Sequence, residues 1–577
     1  MNGPADGSRR WLPPAALAAL VLLVFWPARN FPFVGFDDAG HLFANPYLQP
    51  ASVKNALGFW VEPRNNIYMP LVFTLWSALA MAVQHGGASS LRDAAWMFHR
   101  ANIAVHTLNV LLVYSILLAL LERTKNAPPR RARWAAFAGA LLFAWHPLQV
   151  EPVAWASGMK DLLCGFFALT ALRAYLAYFF GGAKSKPLYC AALAAYGLAL
   201  LAKPTAAALP FIKLALDLWM LRRPPRLALR WALEWLVMAI PFVILNGIVQ
   251  PTSHLDTLAP WWARPLIAAD SLSFHLYHLL FPFRLGLDYG RTPQLILSSG
   301  WTCVLWIFPI GLAACLLRRA ESGVYGAASA VFAAWILPDC GLVSFQHQLF
   351  STVADRYAYL SILGAGLALA HWLNARTGPR KNVAAGAAAV LLLLLGARAR
   401  AQLGFWKDTE TMYRHALDVN PGSIIFNDGM GSLLWRAKRL KEAESHYQAA
   451  LKTLPTYGLS RNHLGDLYLA QGRIPDARDQ YIRTLNSLNS ADVAYARVRL
   501  GVAALLLGKR DEAMRQNLEA LKADPKCAAA LNAIGDIYAR EGAGQQAAQF
   551  HRLALDANPF KEKTLDTWPA KSDSPFS

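Results

Sequence analysis

Long apolar runs separated by short polar loops occupy the first 400 residues and restrict the folds open to this chain. A run of about 20 apolar residues can cross a bilayer as a helix. We place eleven crossings near 13–28, 98–121, 134–148, 161–180, 188–202, 205–221, 230–249, 301–317, 324–343, 357–373 and 383–399. A membrane β-barrel would instead alternate apolar and polar residues. The pattern predicts a polytopic membrane domain that is all-α.

Most of the chain's excess positive charge lies in this apolar region. Only 16% of the residues are charged, whereas typical soluble domains carry about 25%. The net charge is +20, and residues 1–400 hold 33 basic side chains against 16 acidic ones. A nucleic-acid-binding protein would carry its basic excess on a soluble part. We therefore expect membrane lipids, and no nucleic acid, among the partners.

Basic loops give the predicted orientation. Arginine and lysine gather in 122–133, 181–187 and 222–230, and the positive-inside rule places such loops in the cytoplasm. With a cytoplasmic N-terminus, eleven crossings put the C-terminal region on the opposite side. Two further apolar runs, 68–84 and 266–283, would break this parity, and we interpret them as helices that lie at or dip into the interface.

The C-terminal region is a repeat with a period near 34 residues. Glycines recur at intervals of 34, 36 and 34, and alanines keep the same intervals twelve residues later; the members are Gly431, Gly465, Gly501, Gly535, Ala443, Ala477, Ala513 and Ala547. This is the tetratricopeptide (TPR) signature of paired helices. We predict a multi-span membrane domain over 1–400, a TPR α-solenoid of about four repeats over 401–560, and a flexible tail over 561–577. TPR solenoids bind peptides on a concave face, and the alternative is an assembly scaffold.

Ionisable residues next to the apolar runs are the candidates for chemistry. Asp37 and Asp38 are adjacent after the first run, and like charges side by side raise one pKa and favour a proton acceptor; the alternative is a helix cap. His146 and Glu151 flank a membrane exit, where a plain interfacial histidine is the alternative. The remaining candidates are Lys160, Asp161, Lys203, Asp355, Arg356 and Tyr357. For Lys203, the alternative is a lysine whose ammonium only reaches the lipid headgroups. For Asp355 and Arg356, the alternative is a local ion pair.

In this order, these pieces resemble the transmembrane-and-TPR O-mannosyltransferases and their bacterial relatives, within the GT-C class of membrane glycosyltransferases. The resemblance runs from about residue 30 to 560. It is carried by Phe36-Asp37-Asp38, Phe98-His99-Arg100, Ala144-Trp145-His146-Pro147-Leu148-Gln149-Val150-Glu151, Lys160-Asp161 and Asp355-Arg356-Tyr357, followed by the repeats. Two departures stand out. The family's Tyr-Arg-Pro-Leu is Tyr68-Met69-Pro70-Leu71 here, and its Gly-Arg-Ala-Asp is Gly158-Met159-Lys160-Asp161.

The resemblance implies an inverting transferase that uses a polyprenyl-phosphate-linked sugar, mannose-like, and a hydroxyl of an exported protein. Asp37 is then the first choice for the general base and Asp38 the second. The implied donor-phosphate and substrate-binding residues are Tyr68, His99, Arg100, His146, Glu151, Lys160, Asp161, Lys203, Asp355, Arg356 and Tyr357. A divalent metal beside the aspartates is left open by the sequence.

A bias toward alanine, leucine, arginine and tryptophan favours a bacterial source. We therefore expect a multi-pass protein of the bacterial inner membrane with its TPR domain in the periplasm. Two other classes stay open at this stage: a non-catalytic TPR scaffold anchored in the membrane, and a lipid or solute transporter. The absence of an evident inverted repeat or of matching broken helices argues against the transporter.

Overall fold

The computed structural model describes residues 11–64, 67–87, 90–123, 128–181, 185–249, 259–300, 304–318, 322–378, 380–487 and 489–557. Within these ranges the secondary structure is helical and contains no β-strand, which confirms the predicted all-α class. The chain divides into two compact units, Met1–Met412 and Tyr413–Ser577. The predicted tail over 561–577 lies outside the described residues.

The first unit consists of sixteen α-helices within the described ranges, joined by short 3-10 and π turns. They are α1 (Leu12–Phe25), α2 (Val53–Val61), α3 (Pro70–His85), α4 (Ala95–Leu121), α5 (Pro129–Trp145), α6 (Val150–Ala154), α7 (Met159–Phe180), α8 (Lys186–Ala202), α9 (Leu209–Ala215), α10 (Pro225–Val249), α11 (Arg264–Leu280), α12 (Pro293–Ser298), α13 (Ile307–Leu317), α14 (Ser322–Ile336), α15 (Ile362–Ala375) and α16 (Arg380–Leu403). The helix α17 (Thr409–Val419) begins in this unit and ends in the second.

Five helical segments of the described chain are long and apolar enough to cross a membrane. They are Leu12–Asn30, Arg92–Leu121, Ala156–Phe180, Pro225–Val249 and Arg380–Trp406. The other predicted crossings form shorter helices, and proline accounts for several of the breaks. Run 205–221 is split around Pro204 and Pro210, and α5 ends just before Pro147, because proline lacks an N–H and disfavours helix in the preceding residue. The count of eleven stays a prediction.

Small residues let the central helices approach closely. A Cβ on Gly139 of α5 would collide with the carbonyl oxygen of Gly366 in α15, and one on Gly364 would collide with that of Ala328 in α14. The segment before α15 is held by α4. The Tyr359 hydroxyl lies 3.0 Å from His106 Nδ1 and accepts a hydrogen bond from Asn109 at 2.9 Å. These contacts hold residues 355–359 against α4 and so position one wall of the candidate site.

The second unit contains four helical hairpins among its described residues. They are α18 (Ile424–Arg436) with α19 (Leu440–Thr453), α20 (Gly458–Ala470) with α21 (Ile474–Thr484), α22 (Ser490–Leu506) with α23 (Arg510–Ala523), and α24 (Ala528–Arg540) with α25 (Gly544–Ala557). The repeat glycines lie in the first helix of each pair. A Cβ on each would come 2.6–2.7 Å from the side chain sixteen residues later, namely Tyr447, Tyr481, Asn517 and His551. The repeat spacing therefore reflects close helix packing.

Replacing Gly465 by valine is expected to destabilise the second hairpin by about 1–3 kcal/mol, because the new Cβ would lie 2.6 Å from the buried Tyr481 ring. Hydrogen exchange of amides in α20 and α21 measures the local opening free energy. Gly544→Val is the matched control, since a Cβ there meets nothing within 4 Å. Equal exchange rates in both variants would contradict the packing argument.

Candidate active site

The two adjacent aspartates occupy different environments. Asp38 is fully buried, and its carboxylate accepts hydrogen bonds from the Val34 amide at 3.1 Å and from both the amide and the hydroxyl of Ser157, at 2.9 and 2.5 Å. The Asp37 side chain is 37% exposed and lies 3.4 Å from the Lys160 ammonium group. Asp38 thus ties the first loop to the turn before α7, while Asp37 is left accessible.

These environments separate the pKa values of the two carboxyl groups. Burial raises the pKa of Asp38 to about 6, against the lowering effect of the hydrogen bonds from Ser157 and Val34. Burial also acts to raise the pKa of Asp37, but Lys160, His41 and Arg356 outweigh it and the net shift is downward. At neutral pH, Asp37 is therefore a carboxylate that is able to accept a proton.

Acidification is expected to stabilise the fold around Asp38, because protonation removes the cost of burying its charge. Its pKa rises on folding from 3.8 to about 6, so its contribution to the free energy of unfolding is full below 3.8 and is lost as the pH rises through 6. The shift corresponds to roughly 3 kcal/mol. Thermal unfolding between about pH 4 and pH 7 should show this gain in the wild type and not in Asp38→Asn. Parallel curves for the two proteins would contradict the assignment.

A second charged group is built around Arg356. Its guanidinium donates to the Glu151 carboxylate at 2.5 Å, and its backbone amide donates to the other Glu151 oxygen at 3.1 Å. Both side chains are buried, at 8% and 3% exposure. The neighbouring Asp355 accepts a hydrogen bond from the Tyr289 hydroxyl at 2.6 Å. The short helix α6 therefore presents Glu151 to a segment 205 residues later in the chain.

A third group surrounds Lys203, which follows α8. Its ammonium lies 2.7 Å from Asp161 and 3.7 Å from Asp339, and 5.6 Å from the centre of the Tyr357 ring. A small cavity adjoins these charges and reaches Arg356. Buried charges are stable only when they are paired, and here two carboxylates share one lysine.

Trp155 connects the first two groups, and Tyr357, next to Arg356 in the chain, connects the third. The Lys160 ammonium lies 4.4 Å from its ring centre, and the Arg356 guanidinium lies 5.7 Å away. Phe36, next to the aspartate pair, packs against the same ring at 5.5 Å. Nine of the predicted residues are therefore connected by direct contacts, contacts through this ring, or adjacency in the chain: Asp37, Asp38, Glu151, Lys160, Asp161, Lys203, Asp355, Arg356 and Tyr357.

The other four predicted residues make different contacts. The Tyr68 hydroxyl donates to the Trp60 carbonyl at 3.0 Å, and Arg100 stacks on Trp96 at 4.4 Å. His99 contacts the Pro32 carbonyl at 3.4 Å and so braces the first loop. His146 contacts the Leu279 carbonyl at 3.0 Å and accepts from the Leu148 amide at 3.3 Å, within the turn after α5. These roles organise the backbone around the charges.

The predicted site residues leave out three participants. Ser157 fixes Asp38, and Asp339 shares Lys203. His347 lies close enough to Arg356, Asp37 and Lys160 to feel their charges, and burial, followed by Arg356, lowers its pKa to about 3. None of the three belongs to a local motif, so only folding brings them to the site. Among the described residues, no group of three or more His, Cys, Asp or Glu side chains is arranged to hold a metal ion.

Sequence comparison finds proteins that are similar to this chain. A protein O-mannosyl-transferase of Caenorhabditis elegans is 25% identical over 486 residues, which cover 79% of this chain and 64% of the relative. Protein O-mannosyl-transferase TMTC4 of Homo sapiens is 25% identical over 386 residues, covering 58% and 52%. The chain is therefore similar to proteins named protein O-mannosyl-transferases. The resemblance inferred from the motifs is confirmed, although the chain spans less than two-thirds of either relative.

The second unit matches known repeats. Tetratricopeptide repeat family profiles match residues 434–500 and 507–562, which confirms the predicted TPR array. Among solved structures, the chain is similar to the type IV pilus biogenesis factor PilW, with 21% identity, coverage of 33% of this chain and 89% of that one, and a TM-score of 0.24. The five long apolar helices of the described chain support a multi-pass membrane protein.

Proposed function

We propose that this chain is an integral-membrane glycosyltransferase that moves a mannose-like sugar from a polyprenyl phosphate to a hydroxyl of an exported protein. The observation that carries the proposal is the carboxylate of Asp37, accessible, ionised at neutral pH and 3.4 Å from a cation. A general base of this kind is what hydroxyl attack on an anomeric carbon requires. The names of the relatives supply the sugar and the class of acceptor.

The proposed reaction is a single displacement with inversion. As the acceptor oxygen forms its bond to the anomeric carbon, its proton passes to Asp37. The bond between that carbon and the phosphate oxygen breaks, and the electron pair leaves with the polyprenyl phosphate. The transition state is oxocarbenium-like, as in other glycosyl transfers.

The leaving phosphate gains charge and needs nearby cations. Arg356 and Lys203 are each held by buried carboxylates, at 2.5 and 2.7 Å. Lys160 has a longer contact with Asp37, at 3.4 Å, and lies over an aromatic ring. We therefore assign Lys160 to the donor phosphate, with Arg356 and Lys203 setting the field around it. Lys160 takes the place of the family's arginine one position later in the chain.

The TPR unit, in this proposal, binds the acceptor polypeptide, as TPR solenoids bind peptides. The cell-membrane location, with the repeats on the periplasmic side of a bacterial inner membrane, belongs to the same proposal. The single-displacement mechanism and the polyprenyl-phosphate donor are further parts of it. The proposal leaves the need for a divalent metal open, and loss of transfer after treatment with a chelator would show that need.

The test uses membranes that contain the full-length chain, a polyprenyl-phosphate donor carrying labelled mannose, and an exported protein rich in serine and threonine. We expect label in the protein, released by β-elimination, and none with membranes that lack the chain. Binding of the acceptor without transfer would support the scaffold, and uptake of label into sealed vesicles would support the transporter. Either result without transfer would overturn the proposal.

A further inference from the structure

Carboxyl groups outnumber cations two to one in the candidate active site. Among the described residues, its cations are Lys160, Lys203 and Arg356, and its carboxyl groups are Asp37, Asp38, Glu151, Asp161, Asp339 and Asp355. The two nearby histidines add no charge at neutral pH, because burial lowers the pKa of His41 to about 4 and that of His347 to about 3. With every carboxyl group ionised, negative charge would be in excess and would repel an anionic phosphate.

Five of the six carboxyl groups have partners that stabilise their ionised form. Asp37, Glu151, Asp161 and Asp339 lie 3.4, 2.5, 2.7 and 3.7 Å from a lysine or arginine nitrogen, and Asp38 accepts three hydrogen bonds. An opposite charge or several hydrogen bonds favour the charged form of a carboxyl group. One carboxyl group of the site is left without such support.

That group is Asp355, which is buried without a cation partner. Its side chain is 3% exposed, and among the described residues its carboxyl group forms no ion pair and accepts one hydrogen bond, from the Tyr289 hydroxyl at 2.6 Å. The adjacent Arg356 donates to Glu151 instead, through both its guanidinium and its backbone amide. A buried carboxylate without a counter-charge is costly, and such a group normally takes up a proton.

The charged and titratable groups around Asp355 do not remove this cost. From α6, the Glu151 carboxylate adds a like charge. From α16, Arg398 acts only from a distance, and its described hydrogen bond goes to a backbone carbonyl at 2.8 Å. From α11, His275 contacts the segment before Asp355 and is neutral, because burial lowers its pKa to about 4. Burial, followed by the charge of Glu151, therefore raises the pKa of Asp355 well above its usual range, against the opposite effects of the nearby hydroxyl and guanidinium groups.

We propose that Asp355 is a neutral carboxylic acid at physiological pH and that its proton allows the site to accept an anionic donor. The second part rests on the proposed function. The proton is on Asp355 and not on Glu151, because two hydrogen bonds from Arg356 favour the ionised form of Glu151. With Asp355 neutral, the charges of Glu151 and Arg356 balance each other. Ionisation of Asp355 at higher pH adds a like charge and weakens binding of the phosphate.

Infrared difference spectroscopy of the purified full-length chain in nanodiscs tests the proton directly, since a protonated carboxyl group has a carbonyl stretch that a carboxylate lacks. Spectra are recorded at about pH 8, where Asp38, with a pKa of about 6, is ionised. We expect the difference between the wild type and Asp355→Asn to contain a protonated carboxyl band. Glu62→Gln is the matched control, because that side chain is 62% exposed and its difference spectrum should contain a carboxylate band. A carboxylate band in both difference spectra overturns the proposal.

Tyr289→Phe provides a second variant if Asp355→Asn fails to fold. This substitution removes the 2.6 Å hydrogen bond to the Asp355 oxygen and leaves the rest of the ring in place. The carbonyl stretch of the protonated acid should therefore shift to higher wavenumber. A protonated band at the same wavenumber in the wild type and in Tyr289→Phe would show that the proton is not on Asp355.

Binding of the donor is measured separately from sugar transfer, with a polyprenyl-phosphate-linked mannose whose phosphodiester carries one charge at every pH used. In the wild type, the dissociation constant should rise along the same pH curve on which the Asp355 band disappears, and Asp355→Asn should lose this rise. A dissociation constant that does not follow the band overturns the role of the proton in donor binding. Coupled binding without sugar transfer would support the assignment of Asp355 and contradict the proposed transferase.

Discussion

Asp37→Asn is expected to reduce sugar transfer by about two to four orders of magnitude, since an amide of the same shape accepts no proton. The substitution removes a side chain that is 37% exposed and whose only described ion pair, with Lys160, is 3.4 Å long. Folding and donor binding should therefore change little. The measurement is the turnover number in membranes, with expression and thermal stability recorded for each variant.

Asp38→Asn should behave differently. Its carboxylate accepts from one hydroxyl and two backbone amides, so an amide nitrogen in its place would meet donors. We expect a less stable first loop and a higher KM with residual turnover, the behaviour of a positioning residue. Glu62→Gln is the control, because that carboxylate also lies between α1 and α3 but is 62% exposed. Full turnover in Asp37→Asn would remove Asp37 from the mechanism, and loss confined to Asp38→Asn would make Asp38 the base.

The division of labour between the two aspartates shows what the sequence was able to predict. The dipeptide identifies an unusual pair of charges, but adjacent residues in a loop face different surroundings. The contact that distinguishes them comes from Ser157, which is 119 residues away from Asp38. Asp339 and His347 were missed as site residues for the same reason, since neither lies in a motif and long-range folding alone brings them to the cluster.

The fold was predictable where one period dominates. Repeat glycines predicted the TPR hairpins, and each glycine proves to face a side chain sixteen residues later. Apolar runs predicted helices but not their lengths, because prolines end them early. The run 324–343, for example, stops being α-helical at Ile336, two residues before Pro338. His146 shows the same limit. It caps the turn at Pro147, and this role depends on the end of α5 at Trp145.

The pair formed by Glu151 and Arg356 provides the second large effect. Glu151→Gln is expected to destabilise the first unit by about 3–5 kcal/mol, because it leaves a buried guanidinium without its counter-charge. Among the described residues, the other contacts of Arg356 are uncharged: the Tyr357 hydroxyl at 3.4 Å, the Tyr357 ring at 4.9 Å and the Trp155 ring at 5.7 Å. Thermal unfolding in detergent measures the loss. Asp217→Asn is the matched control, since Asp217 and Lys213 form another fully buried pair.

The double variant Glu151→Met, Arg356→Met separates stability from function. Apolar replacement of a whole buried ion pair is often neutral or stabilising, so the double variant should recover much of the stability that Glu151→Gln loses. Sugar transfer should stay low, because the field that Arg356 supplies at the leaving phosphate is gone. Recovery of both stability and transfer would mean that the pair only holds the segment 355–359 against α6. Asp217→Asn, by contrast, should lose stability while the folded fraction keeps its turnover, because Asp217 contacts α7 at Tyr175, far along the helix from Lys160.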